Sequence, residues 1–203
     1  MRSVTLFINP KTNTTMKRTL LTAIMAIVAI VAFGKADEKQ LQLTKADGVA
    51  NIFDSSNKAN VKFIYADDCV ASYQGVSKMP YKEYVKINGE WEEEHTYGES
   101  GFVEDWNKRN KKGMKIVEDD ADFQIVVTIH EIKEMAAMRA WWEIVKADVK
   151  ILDSSKASVV EYKVNEYYEV AGGFAAMKLR NRIKETFAGL SESMLYFAKK
   201  ANK

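Results

Sequence analysis

The sequence is poor in the residues from which disulfides, metal centres and many catalytic sites are built. Its 203 residues include one cysteine and two histidines. With Cys69 alone no intrachain disulfide can form, and we interpret this thiol as a small buried side chain rather than a nucleophile. His95 and His130 do not form the H-x-x-x-H pair of a zinc-binding helix. We therefore predict no metal site, no cofactor and no enzymatic activity.

The chain also lacks an excess of charge of one sign. It contains 30 basic and 28 acidic residues, which gives a formal net charge of +2. Five of the basic residues and no acids fall within residues 1–36, so the remainder carries 25 basic and 28 acidic residues and a net charge of −3. Nucleic-acid-binding domains usually show a strong basic excess. We therefore predict no nucleic-acid partner.

Only one long apolar run is present, at residues 20–33. As a helix it would reach about 21 Å at about 1.5 Å per residue, which is short of the roughly 30 Å hydrocarbon core of a bilayer. A lysine and an arginine precede the run, and the small residues Gly34 and Ala36 follow it. This order is typical of a secretory signal peptide cleaved between Ala36 and Asp37.

The predicted signal peptide spans residues 16–36, which makes Met16 the expected initiator and residues 1–15 an extension from an upstream start. An uncleaved N-terminal anchor and a buried core helix are the alternatives. No cysteine precedes Cys69, so the lipid-acceptor cysteine of a bacterial lipoprotein is missing. We expect a periplasmic or secreted product with no stable membrane anchor after cleavage.

Alternating apolar and polar residues predict strands after this segment, and apolar spacings of three and four predict helices. Pro80 is placed to start a helix. A capping box of Thr96 and Glu99 predicts another helix over residues 97–112, with Gly113 as its stop. The predicted strands cover residues 60–66, 114–117, 123–132, 141–152 and 160–168, and the closing helix covers residues 176–197.

This order of elements predicts one domain over residues 37–203. Its fold class is α+β, with two layers: a mostly antiparallel sheet and amphipathic helices packed on one face. The other face of the sheet is then open to solvent or to a partner. Residues 37–58 are polar and form a lead-in to the first predicted strand.

Three short motifs resemble functional ones without matching them. Residues 98–101 lack the spacing of the G-x-S-x-G nucleophile elbow, because glycine follows the serine directly. The Gly172–Gly173 pair has neither a dinucleotide nor a P-loop pattern around it. The acidic runs at residues 92–94 and 119–122 lack the loop spacing of a calcium site. We interpret these as turns and solvated charge.

The strongest candidate for a binding surface is the pair Trp141–Trp142, because adjacent strand residues point to opposite faces. Strict alternation places Trp141 in the core with Val145 and Ile151, and Trp142 on the open face. An exposed apolar patch can mark a partner or ligand site. The alternative is that residues 37–58 fold across this face and cover it. The predicted patch consists of Trp142, Ile144, Val126, His130 and Tyr167.

Residues 121–197 also carry a recognisable order of elements: "ADFQIVVTIHEI", a long strand, the hairpin "VKILDSSKASVV", a break of small residues and an amphipathic helix. This order resembles the N-terminal domain of TolB and the related curli-secretion lipoproteins. The resemblance implies an α+β domain used for protein contacts in the bacterial envelope, and it supplies no catalytic residues. The chain lacks TolB's propeller, so a propeller function is not expected.

These inferences combine into one functional hypothesis and one alternative. We expect an exported, soluble, non-enzymatic envelope protein that acts as a protein-interaction module. The alternative is a small-ligand-binding protein that uses the open sheet face around Trp142. The sequence leaves the ligand, the partner and the oligomeric state undetermined.

Overall fold

A computed structural model of the chain describes residues 41–46, 52–73, 78–88, 91–135, 141–168 and 178–201. Lys39–Lys203 form one compact unit. The predicted signal peptide and its cleavage site lie outside the described residues. The strands are β1 Leu41–Ala46, β2 Lys58–Tyr73, β3 Met79–Pro80, β4 Lys115–Ile116, β5 Phe123–Met135, β6 Trp141–Leu152 and β7 Ser158–Tyr168. The helices are α1 Tyr81–Ile87, α2 Trp91–Arg109 and α3 Leu179–Ala201.

All seven strands join one sheet in the order β1-β7-β6-β5-β2-β3, and β4 pairs with β2. The pairs β1–β7, β7–β6, β6–β5 and β2–β3 are antiparallel. β2 runs parallel to β5 and to β4, which requires a crossover connection, and α1 and α2 lie within it. The predicted mostly antiparallel sheet is confirmed.

The helices cover one face of the sheet, as the sequence predicted. Phe63 of β2 contacts both long helices. Its ring centroid lies 5.4 Å from that of Phe102 in α2 and 4.9 Å from that of Phe187 in α3. On the same face, towards the other edge of the sheet, the ring centroid of Tyr162 in β7 lies 6.2 Å from that of Phe197 in α3. The core therefore forms a single apolar layer between the sheet and the two long helices.

The alternation within β5 explains why this sheet has a covered and an uncovered face. Ile125, Val127 and Ile129 are fully buried, whereas Val126 and Thr128 between them are half-buried on the other face. Along the described residues no helix lies over that second face, which we call the open face. The two-layer α+β prediction is thus confirmed.

The bounds of α2 differ from the prediction. The helix begins at Trp91, so Thr96 lies inside it and the predicted capping box is wrong. It ends at Arg109, three residues earlier than expected, because Asn110 and Met114 turn the chain back into β4. Trp106 Nε1 and Asn110 Nδ2 each donate to the Met114 carbonyl at 2.9 Å. These bonds bind the end of α2 to the sheet.

The lead-in is partly structured. Its residues Leu41–Ala46 form β1, which pairs with β7 at the edge of the sheet. Ile52 and Phe53 are buried, and the Phe53 ring stacks on Trp106 of α2 at 5.9 Å. The described part of the lead-in therefore extends the sheet and packs on the helix side. The described residues of the lead-in therefore do not cover the open face, which was the alternative.

In the described part of the chain, no helix is both long and apolar enough to cross a membrane.

Candidate functional site

A line of backbone irregularities crosses four neighbouring strands of the sheet at one level. Between β2 and β5 the register jumps from Tyr65–Ile129 to Val70–Glu131, so residues 66–69 face a single residue of β5. That residue is His130, which is also extra relative to β6. Bulges of this kind bend strands and re-aim side chains. We call the line the seam.

The seam continues through β6 and β7. One step further along β5, the pairing passes from Glu131–Lys146 to Ile132–Ile144, so Val145 is extra on β6. On β7, Glu166 adopts a φ of 51°, a left-handed backbone conformation that is rare for residues other than glycine. Two residues then separate the buried Val164 from the buried Tyr167. β5, β6 and β7 therefore change the face that their side chains point to at the seam, whereas β2 keeps its alternation, with Phe63 before the seam and Ala71 beyond it both on the helix side.

This change of face corrects the predicted binding patch. Trp142, Ile144 and Tyr167 are at most 1 % exposed and lie on the helix side of the sheet, so their placement on the open face was wrong. Strict alternation from Ile151 fails because the extra residue at Val145 reverses the orientation of everything beyond it. Val126 and His130 do lie on the open face, where both are half-buried.

Trp142 is part of the core beneath α3. Its ring stacks on Phe187 at 5.7 Å with an interplanar angle of 29°, and its carbonyl accepts a hydrogen bond from Thr186 Oγ1 at 2.8 Å. Tyr167 lies nearby, with its hydroxyl 3.2 Å from Ser193 Oγ. The tryptophan therefore fixes α3 on the sheet and is out of reach of any partner that approaches the open face.

The same reversal brings charged side chains into the helix side. Glu134 accepts a hydrogen bond from the Tyr84 hydroxyl at 2.6 Å and pairs with Arg182 at 2.5 Å, and all three are at most 3 % exposed. Burial, together with the neighbouring carboxylate, raises the pKa of Tyr84, so its hydroxyl remains a donor. This cluster ties α1, β5 and α3 together, and it is more consistent with a structural role than with an accessible site.

On the open face the seam creates a cleft of about 370 Å³. Its volume falls within the range of small-molecule sites. The walls come from the seam residues of β2, β5, β6 and β7 and from the row next to them. The lining residues are Asp68, His130, Glu131, Lys146, Ala147, Asp148, Lys163, Val164 and Asn165. We call this the seam cleft.

Two polar contacts organise the seam cleft. His130 Nε2 lies 3.0 Å from Asp148 Oδ2, and Lys78 Nζ lies 2.6 Å from Glu131 Oε1. Both contacts are partly exposed, so their contribution to stability is small. Their importance is positional, because they determine which of the charged groups around the seam cleft already have partners.

The remaining candidate residues lie elsewhere. Cys69 is 2 % exposed, as predicted, and burial followed by the acids Asp68 and Glu131 raises the pKa of its thiol to about 12. His95 Nδ1 lies 3.4 Å from Glu99 Oε1. Burial lowers the pKa of this histidine and raises that of the glutamate, which favours the neutral form of each.

The other motifs have structural explanations where they are described. Gly98 and Gly101 lie inside α2 and face α3, so this segment is not a strand-to-helix elbow. In the acidic run at residues 119–122, Asp122 accepts a hydrogen bond from the Lys58 amide at 2.9 Å. Within the described ranges, no group of three or more His, Cys, Asp and Glu side chains is placed to hold a metal ion. Gly172–Gly173 lies outside the described residues.

Sequence reasoning found two members of the open face but missed the cleft. Lys146, Lys163 and Asn165 look like ordinary solvent-facing strand positions in the sequence. The available signal was the failure of alternation between Val164 and Tyr167, where no phase keeps every apolar residue on one side. A bulge is one explanation of such a failure, and its position depends on the neighbouring strands.

Comparison with known proteins gives distant likenesses only. No family model and no curated protein matches the chain. Among solved structures it is similar to a PelC dodecamer from Paraburkholderia phytofirmans, with 12% identity, a TM-score of 0.39, and coverage of 75% of this chain and 95% of the other. It is also similar to protein XCC0632 from Xanthomonas campestris, described as DUF330, with 9% identity, a TM-score of 0.40, and coverage of 72% and 86%. Neither description names TolB or a curli-secretion protein, so that resemblance stays a prediction.

Proposed function

We propose that this protein is an exported, non-enzymatic component of the bacterial envelope that binds another envelope protein through the open face of its sheet. The export proposal is supported by the sequence of residues 16–36, with its basic start, short apolar run and small residues before Asp37. The interaction proposal is supported by the one-sided architecture. Among the described residues the helices pack on one face of the sheet, and none of them lies over the other face.

The composition of the open face supports a reversible polar interface. One row across the sheet pairs Lys62 with Val126, Val126 with Lys150, and Lys150 with Glu161. Both lysines are exposed, and the valine between them is half-buried. Interfaces that form and dissociate resemble the rest of the protein surface in polarity, with apolar area at their centre. This row has that composition.

Export is tested by expressing the full chain in a bacterial host, separating the periplasm from the cytoplasm, and determining the N-terminus of the product. We expect a periplasmic or secreted protein that begins at Asp37. A product that stays in the cytoplasm and retains residues 16–36 would refute the export proposal. Mass spectrometry of the precursor checks Met16 as the initiator, and a peptide from residues 3–11 would contradict it.

The interface is tested by crosslinking in intact cells with a charge-reversed open face. The double variant Lys62→Glu/Lys150→Glu changes two exposed side chains, so the fold should be retained. We expect it to lose the crosslinked partner. The control, Lys82→Glu/Lys86→Glu, makes the same change of charge on exposed positions of α1 and should keep it. A partner that both variants retain would place the interface away from the open face.

The alternative function, binding of a small ligand, is favoured by one specific observation. The open face contains the seam cleft of about 370 Å³, which is lined mainly by polar and charged side chains. Small-molecule sites are concave and have volumes of this order, although the lining of this cleft is more polar than is usual for them. The alternative therefore moves from the region around Trp142, which is buried, to the cleft beside His130.

A further inference from the structure

The two lysines of the seam cleft stand opposite acids but do not pair with them. Lys146 is aligned with Glu131 on β5, and Lys163 is aligned with Asp148 on β6. Cross-strand neighbours of opposite charge normally interact. Here Glu131 is paired with Lys78 at 2.6 Å, and Asp148 lies 3.0 Å from His130 Nε2. Within the described part of the chain, neither cleft lysine forms an ion pair.

On the β2 side of the cleft, Asp68 supplies a carboxylate that pairs with no described residue. Asp68 belongs to the segment of β2 that bulges out at the seam. It is exposed, and it forms no ion pair or hydrogen bond with any described residue. Asn165 adds an amide on the β7 side, where it is aligned with Lys146 of β6. We call the side of the cleft with Lys146 and Lys163 its lysine wall and the side with Asp68 its carboxylate wall. Two further acids that line the cleft, Asp148 and Glu131, are in contact with His130 and Lys78.

The separation of the two walls sets the size of a matching ligand. Lys146 on β6 and Asp68 on β2 are two strand spacings apart, or roughly 10 Å at about 4.8 Å per spacing. An extended chain of three residues spans about 10 Å at roughly 3.3–3.6 Å per residue. A free tripeptide carries a carboxylate at one end and an ammonium at the other, which are the two charges that the walls complement.

From this arrangement we propose that the seam cleft binds a short zwitterionic peptide of about three residues. Its terminal carboxylate is held by Lys146, Lys163 and Asn165, and its terminal ammonium is held by Asp68. Because Asp148 contacts His130 and Glu131 contacts Lys78, neither acid forms an ion pair with the two lysines in the described part of the chain. This inference rests on the alternative function, ligand binding on the open face, and gives that function a ligand class.

The test compares three probes by isothermal titration calorimetry on the cleaved chain. Triglycine has both terminal charges, N-acetyl-triglycine lacks the ammonium, and triglycine amide lacks the carboxylate. We expect saturable binding of triglycine, with each capped peptide roughly tenfold weaker or worse because one charged contact is lost. Equal affinity for all three, or no saturable binding of triglycine, would overturn the proposal.

Two variants assign the ends of the peptide. Lys163→Gln should weaken triglycine binding and remove its advantage over triglycine amide, while the advantage over N-acetyl-triglycine remains. Asp68→Asn should do the reverse. Lys111→Gln and Asp119→Asn change the same residue types at exposed positions outside the cleft, and they should leave all three affinities unchanged. If the two control variants weaken triglycine binding as much as Lys163→Gln and Asp68→Asn do, the assigned site is rejected.

The peptide-binding and crosslinking experiments distinguish the peptide site in the seam cleft from the protein-binding function of the open face. If the unchanged protein binds no triglycine, the peptide site is overturned. If the variant Lys62→Glu/Lys150→Glu nevertheless loses the envelope partner, the protein-binding function still stands. A chain that binds triglycine with the expected dependence on both charges supports the site whether or not a protein partner is found.

Discussion

Glu166 has a strained backbone conformation at the level where the side chains of β6 and β7 change face. Its φ of 51° lies in the left-handed region, where a side chain with a β-carbon is strained by roughly 1–2 kcal/mol. The residue sits where β6 and β7 turn their side chains to the opposite face. Strained residues of this kind cluster at functional sites, and this one lies beside Asn165 of the seam cleft.

Replacing Glu166 with glycine should remove that strain. We expect Glu166→Gly to leave the free energy of unfolding unchanged or to raise it by up to about 1 kcal/mol, as measured by urea denaturation. The matched control is Glu161→Gly in the same strand. Glu161 does not have a positive φ, so the added freedom of the unfolded chain should lower stability by roughly 0.5–1 kcal/mol. Equal losses in the two variants would contradict the strain.

Trp142 provides the second prediction at this scale. Because its ring is fully buried against Phe187, Trp142→Ala should lower the free energy of unfolding by about 3–5 kcal/mol. Val126→Ala, on the half-buried open face, should lower it by about 1 kcal/mol or less. Chemical denaturation of both variants checks the difference. A small effect of the tryptophan change would mean that the residue is not part of the core.

At the scale of elements, the packing of α2 on α3 depends on two glycines. A β-carbon added at Gly98 would lie 2.6 Å from Ile183 Cγ2, and one added at Gly101 would lie 3.0 Å from the Lys184 carbonyl oxygen. The helices approach closely because these positions have no side chain. The exposed ion pairs Arg109–Glu192 and Lys184–Glu104 between the same helices contribute little by comparison.

Alanine at these positions should therefore destabilise the protein although it favours helix. Alanine is better than glycine in a helix interior by about 1 kcal/mol, whereas overpacking costs roughly 1–3 kcal/mol. We expect Gly98→Ala and Gly101→Ala each to lower the free energy of unfolding, with Gly98→Ala losing about 1–2 kcal/mol. Ser100→Ala, on the same helix and half-exposed, should change it by less than about 0.5 kcal/mol. Thermal and urea denaturation measure these losses of stability. A larger loss in Ser100→Ala than in Gly98→Ala would contradict the role of the glycines.

The elements themselves were largely predictable, while their irregularities were not. The alternation of Ile125, Val127 and Ile129 and the helical spacing of Ile183, Phe187 and Leu190 identify β5 and α3 from the sequence alone. The start of α2 at Trp91 was missed because Thr96 offers a plausible cap that the helix does not use. The bulge at His130 was missed because an extra residue is defined only relative to the partner strand.

At the scale of the whole molecule, burial in one continuous layer makes Cys69 a reporter of global opening. The thiol is 2 % exposed, and its pKa is raised to about 12, so only about one molecule in ten thousand carries the thiolate at pH 8. The thiolate is the reactive form. In the unfolded chain the thiol regains a pKa of about 8.5 and becomes accessible.

The native protein should therefore react with 5,5′-dithiobis(2-nitrobenzoate) at least roughly a thousandfold more slowly than the unfolded chain at pH 8. The native rate should rise with pH, because the thiol deprotonates only as the pH approaches 12. A Ser154→Cys variant in a Cys69→Ala background places a thiol at an exposed turn and should react rapidly without denaturant. Rapid labelling of Cys69 in the native state would show that its strand opens locally.

The sequence by itself determined most of the strands and helices, that one face of the sheet is covered, and that Cys69 is buried, while β1 in the lead-in was missed. The first two depend on hydrophobic periodicity, which is written in the order of residues, and the third depends on the tendency of a free cysteine to be buried. The tertiary structure alone decided that Trp142 faces the helices and that Lys146 and Lys163 line a cleft in which neither lysine forms an ion pair with a described residue. Register, bulges and the choice among competing charge partners depend on neighbouring strands, and those neighbours are distant in sequence.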